Sequence, residues 1–219
     1  MRTLVILPIK SFSQAKQRLR GELSDADRRA LVDAMFSDVL VALRRIPALE
    51  SIIVVSGDRT AQRIAQGYGA LVVEDDERGH NSAAKKGIAV ALEDGIERVL
   101  LVPGDCPLMD PKEIEQLLVH PVGERSALIV PDRHGTGTNA LVLAPPDVLA
   151  PSFGPDSRRR HMADADAAGV PAEVVDVPCL GLDIDTPDDL EALQQHLAGS
   201  RGGAAHTRGM LNQLLRARS

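Results

Sequence analysis

Short runs of apolar residues alternate along this chain with longer segments whose apolar residues recur at helical spacing. The short runs are rich in Val, Ile and Leu and are bounded by polar or turn-forming residues, which is typical of strands buried in a sheet. The predicted strands cover residues 4–9, 51–56, 70–73, 99–102, 126–131, 140–143 and 174–177. The predicted helices cover residues 24–46, 60–66, 79–94 and 188–197, and a further helix begins at Pro111.

The order of these elements predicts an α/β fold, with a mostly parallel sheet and helices on both faces. Between residues 126–131 and 140–143 the chain has only a turn with two glycines, so we expect a hairpin there instead of a helical crossover. Aromatic residues make up only 2% of the chain and Trp is absent, so the core must be aliphatic.

Residues 98–110, RVLLVPGDCPLMD, are the most informative stretch. A buried strand meets Pro103 and Gly104, which end regular structure, and Asp105 follows at once. Ligands of open parallel sheets bind beyond the carboxyl ends of the strands, so Asp105 is placed to hold a metal ion or a polyphosphate. The alternative is that Asp105 only stabilises a turn.

A basic segment follows the first predicted strand. Lys10, Lys16, Arg18 and Arg20 lie within eleven residues. Because this segment comes after the first strand of an α/β sheet, it is a candidate for binding phosphate. It has neither the glycines of a P-loop nor a GxGxxG motif, and its alternative role is a solvated loop.

Asp183 and Asp185 form a second acidic group near the end of the chain. Alternate residues of an extended segment point to the same side, so these carboxylates could act together, and with Asp105 they would suit Mg²⁺. The alternative is an ordinary helix start, because Thr186 and Pro187 follow and helices often begin in this way.

Composition narrows the range of functions. The net charge of −6 disfavours general binding of nucleic acid. Cys106 and Cys179 match neither a disulfide framework nor the spacing of a zinc site. There is no leader-like segment and no apolar run long enough for a membrane span, so we expect a cytoplasmic protein. Residues 1–198 are predicted to form one domain and residues 199–219 a flexible linker and tail, in which residues 199–207 are Gly/Ala-rich and residues 210–215 could form a marginal helix.

Five motifs together resemble one known family. These motifs are PIKSFSQAKQRL, PGDCPL, DRHGTGTNAL, FGPDSRRRH and LDIDTP. In this order they are similar to the guanylyltransferases of coenzyme F420 biosynthesis, which have a nucleotide-diphospho-sugar-transferase-like (Rossmann-like) fold. The resemblance covers residues 3–197, and GTGT followed by FGPDS is its most specific part.

The resemblance implies transfer of GMP from GTP to phosphoenolpyruvate with release of pyrophosphate, or the same reaction on 2-phospho-L-lactate or 3-phosphoglycerate. It implies that Asp105, Asp183 and Asp185 are catalytic and bind Mg²⁺ or Mn²⁺. It also implies which residues bind the acceptor substrate and which bind the nucleotide. Thr138, Gly154 and Ser157 would contact the acceptor, Lys10, Lys16 and Arg18 the GTP phosphates, and Asn81 the base or ribose.

Two other functions are compatible with the residues alone. Asp183-Ile184-Asp185 also fits the D-x-D motif of metal-dependent glycosyltransferases, although the chain has few aromatic residues to bind a sugar. A non-catalytic nucleotide sensor on the same fold is the other alternative. The broad apolar stripe from Leu31 to Leu43, together with the resemblance, leads us to expect a homodimer.

Overall fold

The computed structural model describes residues 1–12, 15–76, 78–121, 123–200 and 202–218. Its described strands form one seven-stranded sheet in the order β3-β2-β1-β4-β6-β5-β7. The strands are β1 Thr3–Pro8, β2 Ser51–Val55, β3 Leu71–Val73, β4 Arg98–Leu101, β5 Ser126–Pro131, β6 Thr138–Ala144 and β7 Ala172–Val174. The last of these begins two residues before the predicted strand at 174–177.

The sheet is mostly parallel, as predicted. β1 pairs in parallel with β2 and β4, β2 with β3, and β5 with β7. β6 runs antiparallel to both β4 and β5. The antiparallel pairing of β5 and β6 confirms the predicted hairpin. Residues 132–137, which connect these strands, are too few for the crossover that a parallel pair requires.

Helices cover both faces of the sheet. They are α1 Asp25–Leu43, α2 Arg59–Gly67, α3 His80–Glu93, α4 Pro111–Leu118, α5 Ser157–Ala168, α6 Pro178–Gly181, α7 Pro187–Gly199 and α8 Ala205–Arg218. Alternate residues of β1 enter different apolar clusters: Val5 and Leu7 pack with Phe36 of α1, whereas Leu4 and Ile6 pack with Ile88 of α3. This alternation is the two-residue period of a strand that is buried on both sides.

Helix starts follow their sequence signals closely. The Ser24 side chain accepts a hydrogen bond from the Asp27 N–H at the start of α1, and Asp110 does the same for Lys112 at the start of α4. Thr186 and Asp189 form a reciprocal capping box at the start of α7. These caps satisfy N–H groups that have no partner within the helix.

Helix α5 was not predicted. Its buried positions are Ser157, His161 and Ala165, one turn apart. Two of these residues are polar and the third is small, so the segment lacks the apolar stripe by which a buried helix is recognised.

The prediction of a flexible tail differs from the structure. Helix α8 packs against α1, with Leu211 buried. The Asp38 carboxylate of α1 accepts hydrogen bonds from the N–H groups of His206 and Thr207, at 3.0 and 2.8 Å, and so caps α8. The residue that orders this helix lies 168 positions earlier in the chain, where sequence spacing gives no signal for it.

The apolar stripe of α1 is covered within the single chain. Its largest residues are at most 1% exposed: Leu31, Met35, Phe36, Leu40 and Leu43. The stripe therefore leaves no apolar surface for a second copy, and the expected dimer has no support from it. None of the described helices is both long enough and apolar enough to span a membrane.

Candidate active site

Two joined cavities of ≈ 390 and ≈ 430 Å³ lie beyond the carboxyl ends of β1 and β4. Lys16 and Arg18 line the first cavity, and Thr138 and Gly154 line the second. Six residues line both: Pro8, Lys10, His80, Pro103, Asp105 and Asp185. The structure therefore separates Lys16 and Arg18, assigned to the nucleotide, from Thr138 and Gly154, assigned to the acceptor. Two carboxylates lie where the cavities meet.

Asp105 lies at this junction because β4 ends just before it. A Cβ atom on Gly104 would lie 2.4 Å from Cδ1 of Ile9 and 3.2 Å from Phe36, so the chain approaches the core here more closely than a side chain would allow. The carbonyl of Asp105 accepts a hydrogen bond from the Ile184 N–H at 3.3 Å, which brings residues 183–185 to the end of β4. Its carboxylate oxygen Oδ1 is buried and has no hydrogen-bond partner among the described residues.

The Lys16 ammonium lies between two of the predicted metal ligands. It donates to Asp105 Oδ2 and, at 2.7 Å, to Asp185 Oδ1, and the Lys16 side chain is only 5% exposed. Burial opposes its charge, but Asp105 and Asp185 outweigh burial and raise the pKa of Lys16. Lys16 is therefore a fixed cation next to the first cavity. In this state it binds carboxylates, whereas its predicted partner is phosphate.

Asp183 and Asp185 have different partners. Residues 182–185 belong to no strand, so the alternation that suggested a shared face does not describe this segment. Asp183 Oδ1 accepts a hydrogen bond from Asn139 Nδ2 at 3.1 Å. Burial and the nearby charge of Asp105 raise the pKa of Asp183 to about 6. Burial would also raise the pKa of Asp185, but Lys16 lowers it overall.

The carboxylates at the junction of the cavities are the candidate ligands for a metal ion. Within the described part of the chain, no three His, Cys, Asp or Glu side chains are grouped closely enough to hold one. However, Asp105 and Asp185 already share one cation, the Lys16 ammonium, and Asp105 has an oxygen without a partner. Mg²⁺ commonly takes one or two protein carboxylates together with waters and phosphate oxygens. The residues therefore fit a two-carboxylate site, with Asp183 beside it.

The second cavity has a loop at its wall, residues 152–155, that is held by the side chains of Asn81 and Arg160. Asn81 Nδ2 donates to the Phe153 carbonyl at 3.1 Å, and its Oδ1 accepts from the Phe153 N–H at 2.8 Å. Arg160 donates to the carbonyls of Ser152 and Pro155. Asn81 was predicted to lie near the base or ribose. In the structure it lines the cavity of the acceptor residues and its amide holds this loop.

Gly154 supplies a backbone donor to the same cavity. Its φ of 121° is a conformation that residues with a side chain rarely adopt. The Gly154 N–H has no hydrogen bond among the described residues, whereas its carbonyl accepts from the Ser157 N–H at 3.1 Å. Ser157 is buried at the start of α5 and is not among the residues lining the cavity, so in this structure it supports Gly154 from behind.

Thr138 is oriented by the buried side chain of His161. His161 Nε2 accepts from the Ser152 N–H at 3.0 Å, so the ring proton lies on Nδ1. Nδ1 lies 3.0 Å from Thr138 Oγ1 and must donate to it. The hydroxyl proton of Thr138 is therefore free to point to an anionic ligand, because its oxygen already accepts from the ring.

Three residues of the site received no role from the sequence, although Asn139 and Phe153 lie within the motifs of the resemblance. Asn139 holds Asp183, and His80 and Phe153 form an edge-to-face stack with ring centroids 5.1 Å apart. Phe153 stacks similarly on His161 at 5.3 Å. Burial and the charge of Lys10 lower the pKa of His80. His80, Asn139 and Phe153 are far apart in the chain, so no local pattern in the sequence groups them into one site. Both cysteines are free and buried.

His161 should make the protein sensitive to acid. Burial lowers its pKa from 6.5 to about 4, so the unfolded chain takes up a proton at a higher pH than the folded protein does. Stability is then full above pH 6.5 and falls as the pH drops toward 4. The expected loss from this residue between pH 7.5 and 5.0 is about 2 kcal/mol.

Urea denaturation at both pH values tests this expectation, with His161→Gln as the matched variant. The variant should have a lower free energy of unfolding than the unaltered protein at pH 7.5. Between pH 7.5 and 5.0, however, its free energy of unfolding should fall by about 2 kcal/mol less. Equal losses in the two proteins would contradict the assignment of a neutral, buried His161.

Comparison with known proteins identifies the family to which the chain is similar. The family model described as guanylyl transferase CofC-like matches residues 3–214. The match includes most of α8, so it extends past residue 197, where the resemblance in the sequence was expected to end. A phosphoenolpyruvate guanylyltransferase from Conexibacter woesei is 51% identical over 99% of this chain and 98% of its own length. A 2-phospho-L-lactate guanylyltransferase from Methanothermobacter thermautotrophicus is 31% identical over 98% of this chain and 92% of its own length.

Solved structures support the fold. A structure from Desulfovibrio desulfuricans, described as a nucleotide-diphospho-sugar transferase, superposes with a TM-score of 0.76 at 17% identity. It covers 99% of this chain and 98% of its own length. The nucleotide-diphospho-sugar-transferase-like fold expected from the sequence is confirmed.

Proposed function

This chain belongs to the family of CofC-like guanylyl transferases, and on that premise we propose that it transfers GMP from GTP to phosphoenolpyruvate. The product would be enolpyruvyl-2-diphospho-5'-guanosine, an intermediate for coenzyme F420. The family is one of nucleotidyltransferases, so the glycosyltransferase and sensor alternatives are set aside. The observation that carries the proposal is the pair of joined cavities, one basic and one with hydroxyl and backbone donors, that meet at Asp105 and Asp185.

The geometry supports a direct displacement. With the triphosphate beside Lys10, Lys16 and Arg18, the α-phosphorus would lie near the junction of the cavities. An oxygen of the acceptor phosphate would form a bond to this phosphorus, and the bond to the bridging oxygen would break and release pyrophosphate. The acceptor oxygen is already a nucleophile, so the reaction needs no Ser–His or Cys–His pair. The side chains have to position and neutralise the two anions.

We propose that Asp105 and Asp185, with Asp183 beside them, hold Mg²⁺ or Mn²⁺. Such a cation, when bound, neutralises charge that develops on the phosphate oxygens. Lys16 would then be released from its carboxylates and could reach the triphosphate. Lys16 would thus neutralise Asp105 and Asp185 in the free protein and bind phosphate in the complex with GTP.

The acceptor is identified by its carboxylate and its phosphate. Thr138 and Gly154 line the second cavity, and their hydroxyl and N–H are two donors that would suit one carboxylate or phosphate group. The nearby Arg158 and Arg160 add positive potential. The 51% identical relative named for phosphoenolpyruvate favours that acceptor. The alternatives are 2-phospho-L-lactate and 3-phosphoglycerate.

A competition experiment tests the proposed reaction. The protein is given GTP, Mg²⁺ and equal concentrations of phosphoenolpyruvate, 2-phospho-L-lactate and 3-phosphoglycerate. Release of pyrophosphate and the mass of the guanylylated product are then measured. A product mainly from phosphoenolpyruvate is expected. A product mainly from either of the other acids would overturn the choice of acceptor, and no product at all would overturn the reaction.

Thr138→Val should weaken acceptor binding selectively. The substitution keeps the shape of the side chain but removes the oriented hydroxyl, so the KM for phosphoenolpyruvate should rise by roughly 10-fold, since a hydrogen bond to a charged group contributes about 1.5–3 kcal/mol. The KM for GTP should change by less than twofold. Thr138→Ser is the control that retains the hydroxyl. If Thr138→Val raised the KM for GTP instead, Thr138 would belong to the nucleotide site.

A further inference from the structure

Asp75 is a buried acidic residue to which the proposed reaction assigns no role. Its side chain is 8% exposed, and its Oδ1 has no hydrogen-bond partner among the residues that the structure describes. The Lys86 ammonium is 4.0 Å from Oδ1, beyond hydrogen-bond distance. This ammonium donates instead to the Glu74 carbonyl at 3.0 Å and to Asp76 Oδ1 at 3.1 Å.

A buried carboxylate oxygen without a donor is unfavourable for the free protein. A carboxylate accepts hydrogen bonds and donates none, and leaving it unpaired away from water costs free energy. Such groups are uncommon in folded proteins, and one that lines a cavity indicates a ligand with N–H or O–H donors.

Asp75 lines a third cavity, of ≈ 170 Å³, at the end of β3. This cavity shares four residues with the first cavity, where the triphosphate is proposed to lie: Pro8, Ile9, Lys10 and His80. Pro8, Ile9 and Ala83 give it apolar walls, and Asp75 is the acidic residue that lines it. Apolar walls with one polar edge suit a flat heteroaromatic ring.

The first turn of α3 supplies donors to the same cavity. Gly79 and His80 line it, and no side chain caps this helix. In the described structure the N–H groups of His80, Asn81 and Ser82 make no hydrogen bonds, whereas the N–H of Ala83 is paired with the Gly79 carbonyl. Free N–H groups at a helix start can donate to a carbonyl oxygen of a ligand.

We propose that this cavity binds the guanine base of GTP and that Asp75 is the residue that selects guanine. The two Asp75 oxygens accept from the N1–H and the 2-amino group, and the first turn of α3 donates to O6. Adenine has an acceptor at N1 and no amino group at C2, so Asp75 repels its edge. The inference rests on the proposed use of GTP and supplies the basis of that preference.

Asp75→Asn tests the inference through a change in base preference. An amide offers one acceptor and one donor, which complements xanthine, because xanthine keeps N1–H but has an oxygen at C2. The Kd of the variant for GTP should rise by roughly 10- to 100-fold, the range found for loss of one bidentate contact to a base. Its Kd for XTP should fall by at least 10-fold, while its weak binding of ATP should stay unchanged.

The matched control is Asp76→Asn. Asp76 is the next residue, its side chain is 44% exposed, and it is paired with Lys86. This control should bind GTP within twofold of the unaltered protein. Kd values are measured by calorimetric titration without any acceptor, so loss of GMP transfer with retained GTP selectivity contradicts only the proposed function.

Three results would overturn the assignment of Asp75. The first is an Asp75→Asn protein that binds GTP as well as the unaltered protein, and the second is equal weakening of GTP, ATP and XTP. The third uses the unaltered protein and therefore holds even if the variant fails to fold. ITP, which lacks the 2-amino group, should bind roughly 5- to 10-fold more weakly than GTP, and 1-methyl-GTP more weakly still. Equal binding of 1-methyl-GTP and GTP would exclude Asp75 as an acceptor for N1–H.

Discussion

Replacing Asp105 with asparagine is expected to lower kcat for GMP transfer by about a thousandfold while the protein stays folded. Asp105 lies where the two cavities meet, it binds the Lys16 ammonium, and its second oxygen has no partner in the described structure. The amide keeps the shape of the side chain but removes the negative charge needed to hold a divalent cation. Loss of such charge stabilisation costs several kcal/mol in the transition state, and each 1.36 kcal/mol is about a factor of ten.

The measurement is the steady-state rate of pyrophosphate release at saturating GTP and phosphoenolpyruvate, together with a thermal unfolding curve. Asp147→Asn is the matched control, because Asp147 is exposed and lines neither cavity. The control should retain its full rate. An Asp105→Asn protein with a kcat within threefold of the unaltered protein would show that Asp105 only supports the turn after β4.

Replacing Lys16 with methionine is expected to change two properties in opposite directions. Affinity for GTP should fall by roughly 10- to 100-fold, since a charge-assisted contact to phosphate is lost. Affinity for Mn²⁺ in the absence of nucleotide should rise, because the Lys16 ammonium no longer occupies the space between Asp105 and Asp185. The free energy of unfolding should fall by about 2 kcal/mol without divalent cations, because removing one partner leaves these carboxylates unpaired.

Added Mg²⁺ should restore most of this stability, since it would replace the missing positive charge. Electron paramagnetic resonance of Mn²⁺ and urea denaturation with and without Mg²⁺ measure the two effects. Lys85→Met serves as the control, because Lys85 is exposed on α3 and lines none of the three cavities. If Mn²⁺ affinity and stability are unchanged in Lys16→Met, the ammonium does not compete with a cation for these carboxylates.

Much of the fold followed from the sequence because its signals are local. Runs of Val, Ile and Leu fix buried strands, and stripes at helical spacing together with caps such as Ser24 and Asp110 fix helices. The approximate place of the site followed as well. Residues just past β1 and β4 must meet at one edge of a parallel sheet, and this brings Lys16 and Asp105 together.

Other features depend on contacts between distant residues, which no local pattern encodes. Helix α8 is ordered by Asp38, and the loop at Phe153 is held by Asn81, 72 positions away. Two members of the expected trio of carboxylates, Asp105 and Asp185, share a lysine, because folding brings Lys16 between them. Asp75 lies in an acidic run after the third predicted strand and received no role from the sequence. Only the tertiary structure decided that one of its carboxylate oxygens is buried without a hydrogen-bond partner among the described residues, because burial depends on what the rest of the chain packs around it.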